Sequence, residues 1–105
     1  MLKVFMAVTI ADDLAEVRRV VLGKLGELPA RIFLFGSRAR GDARRASDID
    51  IALESAAPLP IELLAEIRDA LEDSRVLPRV DVVDLMRASA ELRRRVHEEG
   101  IQWTG

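Results

Sequence analysis

The stretch RIFLFGSRARG at residues 31–41, followed by SDIDIALE at residues 47–54, decides the fold of this 105-residue chain. Its four successive large apolar residues, 32–35, need cover on both faces and therefore predict a buried strand. The run ends at Gly36-Ser37, where glycine allows a sharp turn or a close approach of the backbone to a ligand. A short helix beginning at Ser37 would add a hydroxyl and the N–H groups of its first turn, a donor cluster suited to phosphate.

The second stretch alternates polar and apolar residues, which is typical of a strand with one face on a core. This period places Asp48 and Asp50 on the same face, about 6.5 to 7 Å apart along the backbone. Their side chains can lean together, and two carboxylates in close contact at a partly buried site repel each other by up to about 4 kcal/mol at an effective dielectric constant near 20. Magnesium would relieve the repulsion, because it prefers carboxylates, phosphate oxygens and water as ligands. Phosphate donors beside a metal site predict phosphoryl or nucleotidyl transfer.

The order of these residues resembles a known signature. Gly36-Ser37, a ten-residue spacer and Asp48-x-Asp50 are similar to the motif of the polymerase-beta-like nucleotidyltransferase superfamily. The short chain and Arg40-Gly41 within the spacer resemble its minimal nucleotidyltransferase (MNT) group, whose members are often the antitoxin of a HEPN/MNT pair. The resemblance extends from about residue 14 to about residue 100. It implies an α/β fold with a small mixed β-sheet, helices packed on one side, and an active site at the end of the motif strand.

The same resemblance implies a reaction and a partner. Gly36 and Ser37 would hold the β and γ phosphates of a nucleoside triphosphate, expected to be ATP. Arg38 and Arg40 stand close to this pair, and guanidinium groups bind phosphate in a bidentate manner. The motif carboxylates and a third carboxylate would bind two Mg²⁺ ions. AMP would then be transferred to a hydroxyl side chain of a HEPN toxin, which the modification silences.

The third carboxylate is sought in the segment RVDVVDL at residues 79–85, which is rich in β-branched residues and predicts a short strand. In a regular strand Asp81 and Asp84 face opposite sides, and periodicity alone does not choose between them. The family pattern matches Asp81, which would bind the second ion and orient or deprotonate the acceptor hydroxyl. Asp84 is then interpreted as a carboxylate that closes a strand end or caps a helix.

Apolar residues at helical spacing predict helices over about 11–27, 61–71 and 89–99, the last capped by Ser89 and stopped by Gly100. Residues 1–10 show alternating apolar positions and predict a strand or an apolar arm, with contact to a partner chain as the sharper interpretation. Trp103 is predicted to fill the core or to touch a partner. The single histidine, His97, receives no catalytic role, and the spacer arginines Arg44 and Arg45 are interpreted as solvated.

Composition limits the class of protein. The 105 residues fit one domain, spanning 1–105, with a single modest core. A net charge of −2 does not favour direct binding to nucleic acid, which normally requires a basic excess. The absence of cysteine excludes disulfides and thiolate metal sites and is compatible with the cytoplasm. The apolar start of the chain is too short to span a bilayer.

Two other functions compete with AMP transfer to a toxin. The first is a non-catalytic MNT fold that neutralises its HEPN partner by binding alone, although the chain retains both glycine-serine residues and all three candidate carboxylates. The second is the catalytic part of a nucleotidyltransferase acting on a small molecule or RNA. Such enzymes generally use an additional domain to hold the acceptor, and 105 residues leave no room for one.

Overall fold

A computed structural model describes the backbone of residues 2–41, 43 and 47–103, and side chains from residue 13 onward within these ranges. Helices and strands alternate along most of the described chain. In chain order they are α1 (Leu2–Leu25), β1 (Arg31–Phe35), α2 (Ser37–Arg40), β2 (Ile49–Glu54), α3 (Ile61–Glu72), β3 (Val80–Asp84), α4 (Ala90–Glu99) and β4 (Ile101–Gln102). Within the described part of the chain, no helix has the length and apolar character needed to cross a bilayer.

The four strands form one sheet in the order β3-β2-β1-β4. β1 pairs antiparallel with both β2 and β4, whereas β2 pairs parallel with β3. The parallel pair needs a crossover connection, and α3 supplies it. The predicted mixed sheet is confirmed, and the sheet has two edges, formed by β3 and β4.

One face of the sheet is covered by α1 and α3. Their apolar residues recur three or four positions apart, so they form one stripe on each helix and bury it against the sheet. The main core consists of Val17, Val21 and Leu25 of α1, Leu64, Ile67 and Leu71 of α3, and Ile32, Leu34, Ile49, Ile51, Leu53, Leu59 and Val82. The predicted helices over 61–71 and 89–99 are confirmed as α3 and α4.

The opposite face carries a smaller cluster beneath α4. Val96 of α4 packs with Phe33 of β1, Ala52 of β2 and Leu85. The sequence predicted helices on one side, and α1 and α3 fit that description, but α4 covers part of the other side. The physical reason is that Phe33 of β1 and Ala52 of β2 place apolar surface on this second face, which therefore also needs cover.

The amino-terminal segment corrects a sequence prediction. Residues 2–10 do not form a strand or an arm but continue α1 without a break. The residues between the alternating apolar positions include Phe5 and Ala7 as well as Lys3 and Thr9, so the segment does not alternate strictly between apolar and polar residues.

The carboxyl-terminal segment settles the interpretation of Trp103. Its backbone N–H donates to the carbonyl of Ile32 at 2.7 Å, and its side chain packs against the main core. This contact continues the pairing of β4 with β1. β4 has only two residues and was not predicted from the sequence.

Candidate active site

The candidate site is a row of side chains that crosses three strands. Phe35 of β1 is paired with Asp50 of β2, and Asp50 is paired in turn with Asp81 of β3. Paired residues on neighbouring strands share a face, and neighbouring strands lie about 4.7 to 4.9 Å apart. The row therefore brings two of the predicted carboxylates side by side at the end of the motif strand.

At Gly36 the backbone lies directly against this row. Its backbone has φ of 75° and ψ of −152°, a conformation essentially restricted to glycine. A Cβ atom at this position would overlap Oδ2 of Asp50 and lie 3.1 Å from its Cγ. Only a residue without a side chain lets the backbone pass so close to the carboxylate. The predicted short helix begins at Ser37, and the Gly36 carbonyl accepts hydrogen bonds from the N–H groups of Ala39 and Arg40.

The electrostatics of the row centre on Asp50. Burial is the main cause that raises the pKa of this carboxyl above its ordinary value, and the negative charges of Asp81 and Asp48 raise it further. The guanidinium of Arg40 acts in the opposite direction and lowers it. The carboxylates of Asp48 and Asp81 and the guanidinium of Arg40 are thus all close enough to Asp50 to affect its charge.

Asp48 is exposed and directly precedes β2, two residues before Asp50, and it is close enough to affect the pKa of Asp50. Among the described residues, no three carboxylate or imidazole groups are close enough to form a complete cage for a metal ion. Magnesium does not need such a cage, because one or two carboxylates commonly bind it together with substrate phosphates and water. Asp50, with Asp48 and Asp81 near it, fits such a partial site.

The two aspartates of β3 have different environments. Asp81 is partly exposed, and its Oδ1 lies 3.2 Å from Nε of Arg79. Asp84 is buried on the opposite side of the strand, where Oδ2 accepts the N–H of Leu59 at 2.9 Å and Oδ1 accepts that of Met86 at 3.0 Å. This agrees with the prediction that Asp84 closes a strand end, and it separates Asp84 from the row.

The two arginines of the motif loop also differ. Arg38 is partly buried and donates from Nη2 to the carbonyl of Ser47 at 2.9 Å, so it ties the start of the spacer to the residue before Asp48. Arg40 is exposed and close enough to Asp50 to affect its pKa. Arg44 and Arg45, which the sequence analysis interpreted as solvated, lie outside the described residues.

His97 lies at the other end of β2, away from the row. Its Nε2 is 2.7 Å from Oε2 of Glu54, and its ring centroid is 5.8 Å from that of Phe33. Oε1 of Glu54 also lies 2.7 Å from Nη2 of Arg31. These contacts give His97 a structural environment. Sequence reasoning did not single out Arg79, which contacts Asp81 beside the row, although its position two residues before Asp81 in the strand segment indicates a shared face.

The family comparison agrees with this geometry. A family model described as "Polymerase beta, Nucleotidyltransferase" matches residues 24–103, which include all four strands and the whole motif. The chain belongs to the polymerase-beta nucleotidyltransferase family. The mixed sheet with its flanking helices is accordingly the fold of a minimal nucleotidyltransferase, as the resemblance implied.

Individual members of the polymerase-beta nucleotidyltransferase family are similar to this chain. Protein adenylyltransferase MntA of Shewanella oneidensis is 40% identical over 78 residues, which cover 70% of this chain and 52% of that protein. The chain spans about half the length of the curated relatives it matches.

Two solved structures extend the likeness to three dimensions. One is the tri-AMPylated Shewanella oneidensis HEPN toxin in complex with an MNT antitoxin, with a TM-score of 0.67 and 30% identity. It covers 89% of this chain and 70% of the matched chain. The other is a toxin-antitoxin crystal structure with AMP-PNP, with a TM-score of 0.62, 34% identity, and coverage of 90% of this chain and 72% of the matched chain.

Proposed function

We propose that this chain is a magnesium-dependent nucleotidyltransferase that transfers AMP from ATP to a hydroxyl side chain of a HEPN-domain toxin and acts as its antitoxin. The observation that carries the proposal is the row of Asp50 and Asp81 against the glycine-only backbone of Gly36. This arrangement supports a site for a metal-bound triphosphate, because such a ligand would stabilise carboxylates that repel one another.

The residues divide the work of binding. The backbone of Gly36 and Ser37 would hold the β and γ phosphates, as helix starts commonly hold anions. Arg40, exposed near Asp50, would add a guanidinium contact to the phosphates. Arg38 would also contact the phosphates, and its bond to the Ser47 carbonyl would fix the spacer loop that leads to Asp48.

Asp48, Asp50 and Asp81 would hold two magnesium ions. Bound there, the ions would neutralise phosphate charge and align the reacting oxygens. Asp81 would orient the acceptor hydroxyl and accept its proton. The hydroxyl oxygen then forms a bond to the α phosphorus, the bond from that phosphorus to the bridging oxygen breaks, and pyrophosphate leaves with the electron pair.

The partner and the nucleotide are supported by the relatives. The Shewanella oneidensis relative is named a protein adenylyltransferase, and similar structures contain a tri-AMPylated HEPN toxin or AMP-PNP. We extend these features to this chain because its row and its glycine-serine pair match the motif on which the family resemblance rests. We propose the cytoplasm as the location of this reaction.

The test is incubation of the purified chain with labelled ATP, magnesium and the product of the adjacent gene, followed by intact-mass analysis of that product. AMP units should be added by the wild type and not by Asp48→Ala or Asp50→Ala. Asp69→Ala, which removes an exposed carboxylate of α3, is the matched control and should keep full transfer.

Three results would decide against the proposal or part of it. Equal transfer by Asp48→Ala, Asp50→Ala and the wild type would refute the assignment of the metal site. A tight complex of the two proteins with no change in mass would favour neutralisation by binding alone. Transfer that persists after chelation of divalent cations would refute the magnesium requirement.

A further inference from the structure

The edge of the sheet next to the catalytic row is open for pairing. β3 is an outer strand, with β2 on one side only. The N–H of Ile49 donates to the carbonyl of Arg79, and the N–H of Leu85 donates to the carbonyl of Leu53. Because bonding alternates along a strand, the odd-numbered residues of β3 bond to β2 and the even-numbered residues direct their N–H and C=O groups outward.

Part of this outward edge is already engaged. The carbonyl of Val82 accepts a hydrogen bond from Nη2 of Arg68 at 2.9 Å, and the carbonyl of Asp84 accepts the N–H of Arg87 at 3.0 Å. Within the described residues, the outward N–H groups of Val80 and Val82 have no backbone partner among these bonds. Arg68 therefore occupies one outward carbonyl of this edge, that of Val82.

Two cavities follow the edge from end to end. A cavity of about 840 Å³ runs along the first part of β3, and it is lined from both faces of the sheet, by Asp50, Asp81 and Leu92 on one face and by Leu71 and Val76 on the other. A second cavity of about 440 Å³ continues along the last part of the strand. The two cavities adjoin and form one groove along the edge, because both are lined by Arg68, Val82, Val83 and Leu92.

The ends of this groove carry exposed apolar side chains. Leu77 lines the first cavity and is 83% exposed, and Ile61 lines the second and is 68% exposed. These two are the most exposed large hydrophobic residues in the described part of the chain. Leu77 and Ile61 therefore add apolar surface at the two ends of the groove, which an extended segment lying along it would cover.

From these observations we infer that the edge of β3 binds an extended segment of the acceptor protein as an additional strand, and that this pairing delivers the acceptor hydroxyl to Asp81. The inference rests on the proposed function for the identity of the acceptor. In a paired strand the residue opposite Asp81 shares its face, with Cβ atoms about 4.5 to 5.5 Å apart. A hydroxyl side chain there becomes the next member of the row Phe35–Asp50–Asp81.

The geometry also defines the residues next to the acceptor hydroxyl. Side chains alternate along a strand, so the immediate neighbours of the hydroxyl residue face the side of Leu71 and Val76. Both of these residues are apolar. The segment that fits is therefore extended and carries a serine, threonine or tyrosine flanked by at least one apolar residue.

The test measures protection of individual amides by hydrogen exchange, in the free chain and after addition of the protein encoded by the adjacent gene. Binding at the edge should slow exchange at Val80 and Val82 at least tenfold. Asp81 and Val83 serve as internal references, because their amides already bond to β2 and should change little.

A matched pair of variants tests delivery of the acceptor. Val80→Pro removes an outward N–H, which costs no bond to β2, and places a ring on the edge. It should lower AMP transfer to the partner at least tenfold while binding of magnesium and AMP-PNP changes less than twofold. Val80→Ala loses a similar apolar contact but keeps the N–H, and should retain transfer within about twofold of the wild type.

The outcomes separate this inference from the proposed function. Transfer to the partner without added protection at Val80 and Val82 would overturn edge binding and leave the enzyme assignment standing. Protection in the free chain that falls on dilution would show that a second copy of this chain occupies the edge, and would also overturn it. Protection by the partner without any transfer would support edge binding and refute the enzyme assignment. If Val80→Pro does not fold, the exchange measurement on the wild type decides alone.

Discussion

Replacing Gly36 by alanine should lower both the free energy of unfolding and the rate of AMP transfer, because it affects the backbone conformation and the position of Asp50. The backbone at φ 75° and ψ −152° is a region that residues other than glycine occupy at a cost of about 1 to 3 kcal/mol. The new methyl group would also overlap Oδ2 of Asp50 and force that carboxylate to move. For a chain of about this size, 1 kcal/mol corresponds to roughly 4 to 8 °C in melting temperature. We therefore expect Gly36→Ala to lower it by at least about 4 °C.

Two other glycines provide the controls. Gly41 has φ of 82°, and a Cβ there would meet no atom within 4 Å, so Gly41→Ala carries the cost of the left-handed backbone without displacing a carboxylate. Gly23 lies within α1 with similar open space, and Gly23→Ala should stabilise the chain by up to about 1 kcal/mol. The assay is two-state unfolding by heat or urea, with AMP transfer measured well below each melting temperature.

The comparison between Gly36 and Gly41 isolates the contact with Asp50, because both glycines have positive φ but only Gly36 lies against that carboxylate. If displacement of Asp50 matters, Gly36→Ala should lose transfer even at temperatures where it is fully folded, whereas Gly23→Ala should keep it. The reasoning would be refuted if Gly36→Ala were no less stable than Gly41→Ala and transferred AMP at the wild-type rate.

Three further predictions concern the carboxylates and the last helix. Because the pKa of Asp50 is raised in the folded state, folding takes up protons between the ordinary pKa near 3.9 and the raised value, and stability falls as pH rises through that window. Asp50→Asn should therefore raise the melting temperature at neutral pH without magnesium. The increase should vanish below about pH 3.9, where the carboxyl is protonated in both the folded and the unfolded chain. A lower melting temperature at pH 7 would contradict this. Asp84→Asn should lower the free energy of unfolding in urea by about 1 to 3 kcal/mol, because it weakens hydrogen bonds to two backbone N–H groups. Asp81→Asn should change that free energy by less than about 0.5 kcal/mol but should remove AMP transfer. Ser89→Ala should cost about 1 kcal/mol, because the Ser89 hydroxyl accepts the N–H of Leu92 at the start of α4; no loss in thermal unfolding would show that the cap is dispensable.

The features predicted correctly from the sequence are those that depend on local patterns. The apolar run before Gly36, the short helix at Ser37 and the cap at Ser89 each follow from the conformational preferences of a few adjacent residues. Alternation also separated Asp81 from Asp84, because a strand allows only two directions for a side chain. The family resemblance then chose Asp81, and the pairing with Asp50 puts that residue on the face of the row.

The features that were missed depend on contacts between distant parts of the chain. The position of α4 on the second face follows from packing against Phe33 and Ala52, which no period in α4 itself reveals. The strand β4 has only two residues and exists because β1 offers it an edge. The bond from Arg38 joins it to Ser47, nine positions further along the chain. The sequence looks the same whether Arg38 binds phosphate or fixes this loop, so it could not show which role applies.

The two aspartates of β3 are finally best understood together. Pairing in a parallel sheet fixes which residue lies beside Asp50, and a slip of one position would replace Asp81 by an apolar residue facing the same side. Asp84 opposes such a slip, because its carboxylate holds the N–H of Leu59, in the connection that follows β2, and that of Met86, just after β3. Asp84 thus holds β3 in the register that places Asp81 beside Asp50. The site therefore depends on a buried carboxylate that lies on the opposite side of the strand.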